Sequence, residues 1–401
     1  MKYQNINDKN AGECSGCGVC AAICPVEAIS ISLDMDGEYV ATADESCVDC
    51  KKCISVCRVF NPDEAVDFHD PLAIYIGYNT DFAVRYKSSS GGIGSALVTT
   101  ALNSGYTVTG AAINLQSLRV SHILLHDHHE IPQIMGSKYA PSYTVDAFRA
   151  ILSTPNAFVI GTPCQILSLR RAFPDRKDWV LVDFRCGGTP NYNVIDKYKE
   201  YLDRKNGSGL IALNMRAKRK SWQAWGVEAV FADGSSYFKT KMDDPFGRVF
   251  IMFGGVRPCC VRCNVLKNRS AADVRIEDAW HFIDKATSED SKYGLSQITV
   301  FTMAGEKFFD FVRPQLMVER VGLEHAVHTF GKKTFSPRLQ QLLREKQLSI
   351  EEVVSKFFLS LPLLKKIRLI LIYLITQNRV VHTVSVTSYR AIRKTVQRVL
   401  G

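Results

Sequence analysis

The sequence predicts an α+β protein of three parts: a small cysteine-rich module, a larger mixed α/β domain and a helical tail. Cysteines recur at short, regular spacing near the start of the chain. Further on, strand-forming runs alternate with helical segments and glycine-containing loops. The last seventy or so residues are rich in leucine, isoleucine, lysine and arginine. We place the parts at residues 1–62, 72–330 and 331–401.

Length and composition are those of an ordinary globular protein. The 401 residues are enough for two or three domains, and 46% hydrophobic content allows a sizeable core. Met1 to Glu13 has no apolar stretch of the kind found in secretory signals, so export is not expected. Thirteen thiols suit a reducing cytoplasm. We expect a cytoplasmic location.

The positive charge belongs to the tail. The formal net charge is +10, but residues 331–401 hold 14 Lys or Arg against 3 Glu, leaving 36 against 37 for the rest. A near-neutral body argues against nucleic-acid binding. Trp222 and Trp225 beside Lys218 to Lys220 read as a loop entering a strand at Val227 to Phe231.

Eight cysteines form two copies of the spacing C-x2-C-x2-C-x3-C, namely Cys14, Cys17, Cys20, Cys24 and Cys47, Cys50, Cys53, Cys57. This run holds two 4Fe-4S clusters, and the fourth cysteine of each copy ligates the other cluster. We therefore assign Cys14, Cys17, Cys20 and Cys57 to one cluster, and Cys47, Cys50, Cys53 and Cys24 to the other. Zinc knuckles and disulfides fit this spacing less well. The module is predicted to be ferredoxin-like.

A linker at Phe60 to Pro71 leads into the larger domain. The pattern predicts strands at Ala73 to Tyr78, Tyr106 to Ile113 and Val120 to Leu125. A tight loop, Ser88 to Gly92, precedes a helix from Ile93 to Asn103 that Gly105 ends.

Two βα units then follow, each with a cysteine after its strand. Ala157 to Ile160 leads into Cys164, and Trp179 to Phe184 leads into Cys186. Loops after parallel strands emerge at one edge of the sheet, so both cysteines should face one site. Cys260 and Cys263 add a C-x2-C arm, which completes four thiolates for a third 4Fe-4S cluster. The alternatives are buried free cysteines at 164 and 186 and a zinc ion at 260 and 263. We give Cys259 no role.

Several separated motifs follow one another along the chain. They are Ser90-Gly91-Gly92, Gly136-Ser137-Lys138-Tyr139, Gly161-Thr162-Pro163-Cys164-Gln165, Cys186-Gly187-Gly188-Thr189-Pro190, and Cys260-x2-Cys263 with Ala272-Asp273 and Asp278-Ala279-Trp280. Together with the dicluster run, they span Cys14 to about His281. With these motifs the chain resembles the family of coenzyme F420 hydrogenase and dehydrogenase beta subunits, which consists of flavin and iron–sulfur proteins and includes a chlorophyll-derivative reductase.

The resemblance implies FAD with the third cluster near its ring. A flavin takes two electrons as hydride and passes them one at a time to iron–sulfur clusters. The residues expected at FAD are Ser90, Gly91, Gly92, Gly136, Ser137, Lys138, Tyr139, Thr162 and Pro163. Gly91 and Gly92 would let backbone N–H groups approach a phosphate, helped by the N-terminus of the Ile93 helix. On the residues alone, the glycine pair also fits a plain turn, and Lys138 fits a solvated surface charge.

Two positions depart from the family pattern. Glu277-Asp278 stands where the family usually has Gly-Asp, so the backbone there should bend less freely. Arg58 follows Cys57 in place of proline, which should loosen a turn. Neither change removes a proposed ligand, but we can name no hydride-donor residue in the substrate pocket.

The histidines His122, His126, His128 and His129 are dense enough to suggest a metal site. The segment reads as a strand end running into a polar turn, without a carboxylate framework. We therefore expect surface histidines.

The tail is predicted to form one or two amphipathic helices. Phe357 to Ile375 is apolar but contains Pro362, Lys365, Lys366 and Arg368, and three central cations would each cost roughly 2.5 to 3.5 kcal/mol in a bilayer. We do not expect it to span a membrane. One face would carry Leu363, Leu364, Ile367, Ile370, Leu371 and Leu374, and a second basic helix would follow at Val380 to Leu400. Such helices lie on an anionic membrane surface, dock on an acidic partner or pack on the protein itself.

These observations favour an FAD and iron–sulfur oxidoreductase. It would pass electrons between a small-molecule hydride donor or acceptor and a ferredoxin or partner redox subunit, in the cytoplasm or peripheral on the inner membrane face. The resemblance implies the deazaflavin coenzyme F420 or another substrate, with a surface-polysaccharide pathway as one setting. The alternatives are a non-catalytic electron-transfer adaptor and a membrane-surface redox accessory protein.

Overall fold

The structure is a computed structural model of the chain and describes residues 3–10, 12–62, 68–265, 268–283, 286–326 and 335–377. Its strands form three sheets. They are β1 Ile29–Leu33, β2 Tyr39–Ala43, β3 Ala73–Asn79, β4 Thr107–Ile113, β5 Val120–Leu125, β6 Ser142–Tyr143, β7 Ala157–Gly161, β8 Val180–Phe184, β9 Leu210–Ala217, β10 Gly226–Phe231, β11 Ser236–Thr240, β12 Val274–Asp278, β13 Ser296–Val300 and β14 Leu316–Val321.

The helices lie mostly between the strands. They are α1 Val19–Ala22, α2 Lys52–Val56, α3 Phe82–Lys87, α4 Ile93–Asn103, α5 Ile131–Ile134, α6 Val145–Ile151, α7 Pro163–Ala172, α8 Tyr192–Lys205, α9 Pro245–Gly247, α10 Pro258–Val261, α11 Ser288–Tyr293, α12 Met303–Val312, α13 Pro337–Arg344, α14 Ile350–Ser360 and α15 Leu363–Gln377. Short 3-10 turns and one π-helical turn, Arg248–Met252, complete the described elements.

The large sheet is mixed, which confirms the predicted fold class. Its order is β14-β3-β13-β12-β8-β7-β4-β5-β6. The central strands β12, β8, β7 and β4 pair in parallel, while β13, β3 and β14 on one side and β5 on the other pair antiparallel. The predicted helix Ile93 to Asn103 and strand Val120 to Leu125 agree residue for residue, and the other predicted strands differ by one residue at an end.

Both faces of the large sheet are covered, so the central strands are buried runs of apolar residues. One face packs against α4 and α12, where Leu97 and Phe309 join Val182 in one core. The other face packs against α6 and α7, with Phe148 and Ile166 at its centre. The parallel strands therefore deliver their following loops to one edge of a rigid, fully packed layer.

The N-terminal module is built around the β1–β2 hairpin, α1 and α2. Its own small core contains Ile6, Ile29 and Ile54. Val19 and Val56, by contrast, lie in the same core as α6 and α7 of the larger domain. The module is thus packed directly on the large sheet's helical layer.

The described part of the tail is helical, as predicted. Ser336 and Ser349 cap α13 and α14 through their side chains. Leu339 and Val353 are buried in a core that also holds α8 and the three-stranded sheet β11-β10-β9. The predicted helix at Val380 to Leu400 lies outside the described residues.

Candidate redox site

The site lies at the edge of the large sheet where the parallel strands β7, β8 and β12 end. Thr162 begins α7 as part of a capping box, its backbone N–H donating to Gln165 Oε1 at 2.8 Å. Gln165 Nε2 in turn donates to Ser142 Oγ at 2.9 Å. These bonds fix the first turn of α7, which carries Cys164, against the strand edge.

Four cysteines from three separate loops line one small cavity. Cys164 follows β7, Cys186 follows β8, and Cys260 and Cys263 come from α10 and the turn after it. The cavity has a volume of about 50 Å³ and also contacts Cys259. We call it the inner cavity. All thirteen cysteines are free thiols, so the donor set at this cavity is the one that an iron–sulfur cluster needs.

Backbone contacts hold the α10 loop, which is the segment from Arg257 to Cys263 that contains α10, against the loop after β8. Arg257 N–H donates to the carbonyl oxygen of Thr189 at 3.1 Å. Gly188 has a φ of +90°, and a Cβ built there would lie 3.1 Å from Cβ of Cys260. The backbone conformation therefore favours glycine at 188, and a side chain there would press on Cys260 and push it away by a few tenths of an ångström.

The sulfurs of Cys164, Cys186 and Cys260 each have a nearby polar group. Thr162 Oγ1 lies 3.1 Å from Cys164 Sγ, and Gly188 N–H lies 3.4 Å from Cys186 Sγ. Arg257 Nη2 lies 3.9 Å from Cys260 Sγ. Burial raises the pKa of Cys164 to about 11, so a metal ligand there must release a proton that the isolated thiol holds firmly. Hydrogen bonds to sulfur are among the features that set cluster potentials.

Cys259 is the cysteine for which the sequence suggests no role. Its side chain is 1% exposed, and its Sγ lies 4.0 Å from that of Cys260. It therefore belongs to the wall of the inner cavity as a buried thiol.

The N-terminal cysteines lie in two electrostatic groups. Burial raises the pKa of Cys17, and the nearby Cys57 and Cys14 raise it further. Burial also raises the pKa of Cys20, whose electrostatic neighbours are Cys17, Cys14 and Cys57, followed by Cys53 of the other group. Cys53 has Cys47 and Cys50 as its cysteine neighbours. Cys24 packs in the core of the module beside both groups. We call Cys14, Cys17, Cys20 and Cys57 the middle site, and Cys47, Cys50, Cys53 and Cys24 the outer site.

The middle site adjoins the inner cavity. Cys17 Sγ lies 3.6 Å from Oγ of Ser168, one turn along α7 from Cys164. The electrostatic influence of Cys17 also raises the pKa of Cys164, second only to burial. Ser15 and Gly16, which flank the middle site, line the inner cavity. The outer site lies nearer the surface, since Cys50 is exposed.

A larger cavity of about 280 Å³ shares a wall with the inner cavity. Thr162, Gln165, Cys186, Gly188 and Thr189 line both. Of the residues predicted to contact FAD, the larger cavity is lined by Ser90, Gly92, Gly136, Ser137, Lys138, Tyr139 and Thr162. A Cβ added at Gly136 or Gly187 would meet no atom within 4 Å, so these glycines leave open space in its wall.

Two predicted FAD residues are placed differently. Gly91 donates its N–H to Ser296 Oγ at 2.9 Å and is not part of the cavity lining. Pro163 lines the inner cavity instead of the larger one. Lys218 Nζ donates to the carbonyl oxygens of Arg85 and Ser90 at 2.7 and 2.8 Å, which secures the loop before α4. Gly92, with a φ of +84°, is thus the glycine of the pair that faces the cavity.

Lys138 is not the solvated surface charge that its residue type alone suggested. Its Nζ donates to the carbonyl oxygen of Met135 at 2.7 Å, and burial lowers its pKa to about 7. Ser137, the residue before it, contacts the loop that precedes α4, since Ser137 N–H donates to Ser89 Oγ at 2.8 Å. A desolvated amine therefore stands in the cavity wall close to the N-terminus of α4.

His122 is buried, so the expectation of a surface histidine is wrong for this residue. It is 6% exposed and lines the larger cavity. Nε2 lies 3.2 Å from the carbonyl oxygen of Ile160, whereas Nδ1 is buried and has no hydrogen-bond partner among the described residues. The alternation of β5, in which Val120 and His122 point to one face, was the signal in the sequence.

The remaining histidines of that group are exposed, as expected. Within the described residues, no three His, Cys, Asp or Glu side chains form a group that could hold a single metal ion.

Charged side chains at the end of β12 form another part of the larger cavity. Asp278 Oδ2 lies 2.9 Å from Arg216 Nη2, and Trp222 Nε1 donates to Asp278 Oδ1 at 2.9 Å. Arg185 pairs with Glu277 at 2.7 Å. Glu277-Asp278, the departure from the family's Gly-Asp, belongs to a regular strand paired with β13. Sequence reasoning did not anticipate Arg216 or Arg185, because neither stands in a motif.

Three family models match the chain, and together with the cysteine spacing of the N-terminal module they define an electron-transfer oxidoreductase with 4Fe-4S centres. They are a 4Fe-4S dicluster domain over residues 13–61, and the N-terminal and C-terminal parts of the coenzyme F420 hydrogenase/dehydrogenase beta subunit over residues 74–149 and 156–325. The chain belongs to the family of coenzyme F420 hydrogenase/dehydrogenase beta subunits, as its motifs predicted.

Individual relatives are distant. The chain is 21% identical over 320 residues to one subunit of the F(420)H(2) dehydrogenase of Methanosarcina mazei, and the match covers 76% of this chain and 84% of that protein. Among solved structures, it is similar to a chain of the F420-reducing NiFe hydrogenase complex of Methanosarcina barkeri. That similarity has a TM-score of 0.45 and 15% identity, covering 73% of this chain and 94% of the other.

Proposed function

We propose that the chain is an FAD-dependent oxidoreductase with three 4Fe-4S clusters. The outer, middle and inner sites would hold one cluster each, and the larger cavity would hold the flavin. The observation that carries the proposal is that four cysteines from three loops line one cavity, which shares a wall with the larger one. When bound, FAD would supply the exchange between two-electron substrate chemistry and one-electron cluster chemistry.

The residues of the larger cavity fit a flavin nucleotide. Lys138 would compensate an anionic group, and the N-terminus of α4 at Gly92 and Ile93 would add unpaired backbone N–H groups. With Nε2–H donating to the carbonyl oxygen of Ile160, His122 Nδ1 would be a buried acceptor that a donor on the ligand could satisfy. A volume of about 280 Å³ is near the lower end of ligand pockets, about 300 to 1,000 Å³, so it would enclose only part of FAD.

For the two-electron substrate we propose coenzyme F420, because the similar dehydrogenase carries that coenzyme in its name. The one-electron partner would be a ferredoxin or a redox subunit, meeting the chain at the exposed outer site. A place in a surface-polysaccharide pathway, which the family resemblance implies, stays a prediction that the identity of the substrate would test.

The test is anaerobic purification of the full chain followed by iron, sulfide and flavin analysis. Three clusters predict about twelve iron atoms and one releasable FAD per chain. Reduced coenzyme F420 should then bleach the flavin and the cluster absorbance. Iron without releasable flavin would overturn the enzyme and favour the electron-transfer adaptor.

We also propose that α15 holds the protein on an anionic membrane surface from the cytoplasmic side. Leu363 and Leu364 are 70% and 61% exposed, and Ile367 and Ile370 continue the same exposed face. Leu369 and Tyr373 lie on the opposite face of α15, which packs on the rest of the protein. Leu369 is buried there, and Tyr373 donates to Asp243 at 3.0 Å. At 100° per residue, Lys366 and Arg368 flank the exposed apolar face, as in helices that lie in a bilayer interface.

No helix in the described ranges is long and apolar enough to cross a membrane. Flotation of the full chain with vesicles tests the surface proposal. We expect binding to vesicles rich in phosphatidylglycerol and little binding to phosphatidylcholine alone. The double variant Leu363→Asp with Ile367→Asp should lose binding, while Met303→Asp, at an equally exposed residue of α12, should keep it. Absent or charge-independent binding would contradict the proposal.

A further inference from the structure

Arg58 lies between the middle site and the inner cavity. It follows Cys57 directly in sequence, and its side chain lines the inner cavity together with Cys164, Cys186 and Cys263. Its Nη2 donates to the carbonyl oxygens of Glu13 at 3.2 Å and Cys259 at 3.4 Å. The Arg58 guanidinium thus contacts both the residue before Cys14 and the segment that carries Cys260 and Cys263.

The charge of Arg58 is not neutralised by a carboxylate. Within the described ranges, none forms an ion pair with it, and its buried Nε has no hydrogen-bond partner. Its neighbours in space are cysteines: Cys57 precedes it in sequence, and Cys164, Cys186 and Cys263 line the same cavity. If clusters occupy the inner and middle sites, the thiolates that hold them would be the anions facing this part-buried cation.

The second arginine of the inner cavity is in a different situation. Arg257 donates to Thr189 Oγ1 at 3.0 Å and to the carbonyl oxygen of Ser15 at 3.2 Å. Arg257 also faces sulfur, since its Nη2 lies 3.9 Å from Cys260 Sγ, and Cys259, Cys260 and the buried carboxyl of Glu38 all act on it electrostatically. Burial raises the pKa of Glu38 to about 7, so this carboxyl offsets only part of the charge of Arg257, whereas no carboxylate of the described residues pairs with Arg58.

We propose that Arg58 is a potential-setting residue that raises the reduction potentials of the inner and middle clusters above that of the outer cluster. This inference rests on the proposed three-cluster function. Reduction adds one electron to a centre already anionic through four thiolates, and a cation that lines the same cavity stabilises the added charge. No cysteine of the outer site lines that cavity, and Cys50 is exposed to solvent, so the outer cluster would lack this stabilisation. Electrons that enter at the outer site would run inward, toward the larger cavity.

The test is an EPR-monitored redox titration of the full chain, comparing wild type with Arg58→Gln. The inner signal is assigned as the one missing from Cys186→Ala. We expect the inner and middle reduction equilibria to become about tenfold less favourable in Arg58→Gln, a fall of about 59 mV for one electron, with the outer potential unchanged. Arg58→Lys keeps the charge and should stay near wild type. Lys177→Gln removes an exposed cation and should change nothing.

Iron and sulfide counts separate the possible failures. About twelve irons in Arg58→Gln with unchanged inner and middle potentials would overturn the inference and leave the proposed function standing. A wild-type chain with about eight irons would overturn both, since no inner cluster would exist. A wild-type inner potential below the outer one would also contradict the inference. If Arg58→Gln does not assemble, Arg58→Met keeps the aliphatic stem without the charge and takes its place.

Discussion

At the scale of single residues, Lys138 best shows what the larger cavity is built to receive. Its Nζ donates to the carbonyl oxygen of Met135 and pairs with no carboxylate of the described residues, and burial lowers its pKa to about 7. A cation that has lost water and gained no carboxylate is costly unless a ligand supplies the negative charge. The cavity therefore favours an anionic group beside Lys138.

The pKa of Lys138 predicts a pH dependence for flavin binding. Burial lowers the pKa of Lys138 from 10.5 to about 7 in the folded protein. The amine therefore loses its proton as the pH rises through about 7. We expect the affinity of the apoprotein for FAD to fall by up to about tenfold between pH 6 and pH 8, because the charge is lost. Quenching of flavin fluorescence on titration measures it.

Two variants control this experiment. Lys138→Met should bind FAD weakly at both pH values, and Lys138→Arg, which keeps its charge, should bind it without this pH dependence. A wild-type affinity that follows the same pH course as Lys138→Arg would show that Lys138 does not contact the anionic part of the ligand.

At the scale of elements, the loop after β8 connects the large sheet to the α10 loop. Gly188 provides both the left-handed backbone and the space for Cys260. Val256 also lies close, 3.3 Å from a Cβ built at position 188. The absence of a side chain at position 188 thus lets Cys260 and Val256 pack closely against the loop after β8.

Gly188→Ala should reduce occupancy of the inner cluster and leave the N-terminal clusters in place. The added methyl group would displace Cys260 and strain the backbone by about 1 kcal/mol or more. Iron per chain, expected to fall from about twelve toward about eight, is the measurement. Gly234→Ala is the matched control, because Gly234 also has a positive φ, +82°, but a Cβ there meets no atom within 4 Å. Equal iron in both variants would contradict the role given to Gly188.

Periodicity and loop chemistry predicted these elements because they are local signals. Helix α4 ends at a glycine, and Cys164 and Cys186 could be placed together because parallel strands send their loops to one edge. The charges could not be placed in the same way. Arg58 stands out in the sequence only as a replacement for proline, and the carbonyl groups it contacts, at Glu13 and Cys259, are distant in sequence. Arg216 is likewise distant in sequence from its partner Asp278. The sequence also left undecided what the apolar face of α15 contacts. A helix packed on the protein and a helix lying on a membrane surface show the same hydrophobic periodicity.

At the scale of the whole molecule, the three cysteine sites form a series. The outer site lies toward solvent, the middle site lies against α7, and the inner cavity adjoins the larger cavity. The division at residues 62, 72 and 330 stays a prediction, and the module and tail share cores with the larger domain. Proximity of this kind suits a relay of single electrons across the chain.

The series predicts that the inner site is required for communication between the flavin and the N-terminal clusters. Photoreduction of bound flavin with light and EDTA should reduce all three clusters in wild type, but not the middle and outer clusters in Cys186→Ala. Freeze-quench EPR would follow the process, and dithionite should still reduce both clusters directly. Cys259→Ala is the matched control, because it removes a neighbouring buried thiol to which we assign no iron. Loss of transfer in Cys259→Ala as well would invalidate the choice of ligands.

Helix α7 begins one residue before Cys164 and places Ser168 against Cys17 one turn later. Thr144 Oγ1 donates to the carbonyl oxygen of Cys17 at 2.8 Å and ties the same spot to the start of α6. A displacement of the amino-terminal module would therefore have to carry α6 and α7 with it. If clusters occupy the middle and inner sites as proposed, the distance between them would be held constant, and the rate of electron transfer between them should not depend on slow interdomain motion or on solvent viscosity.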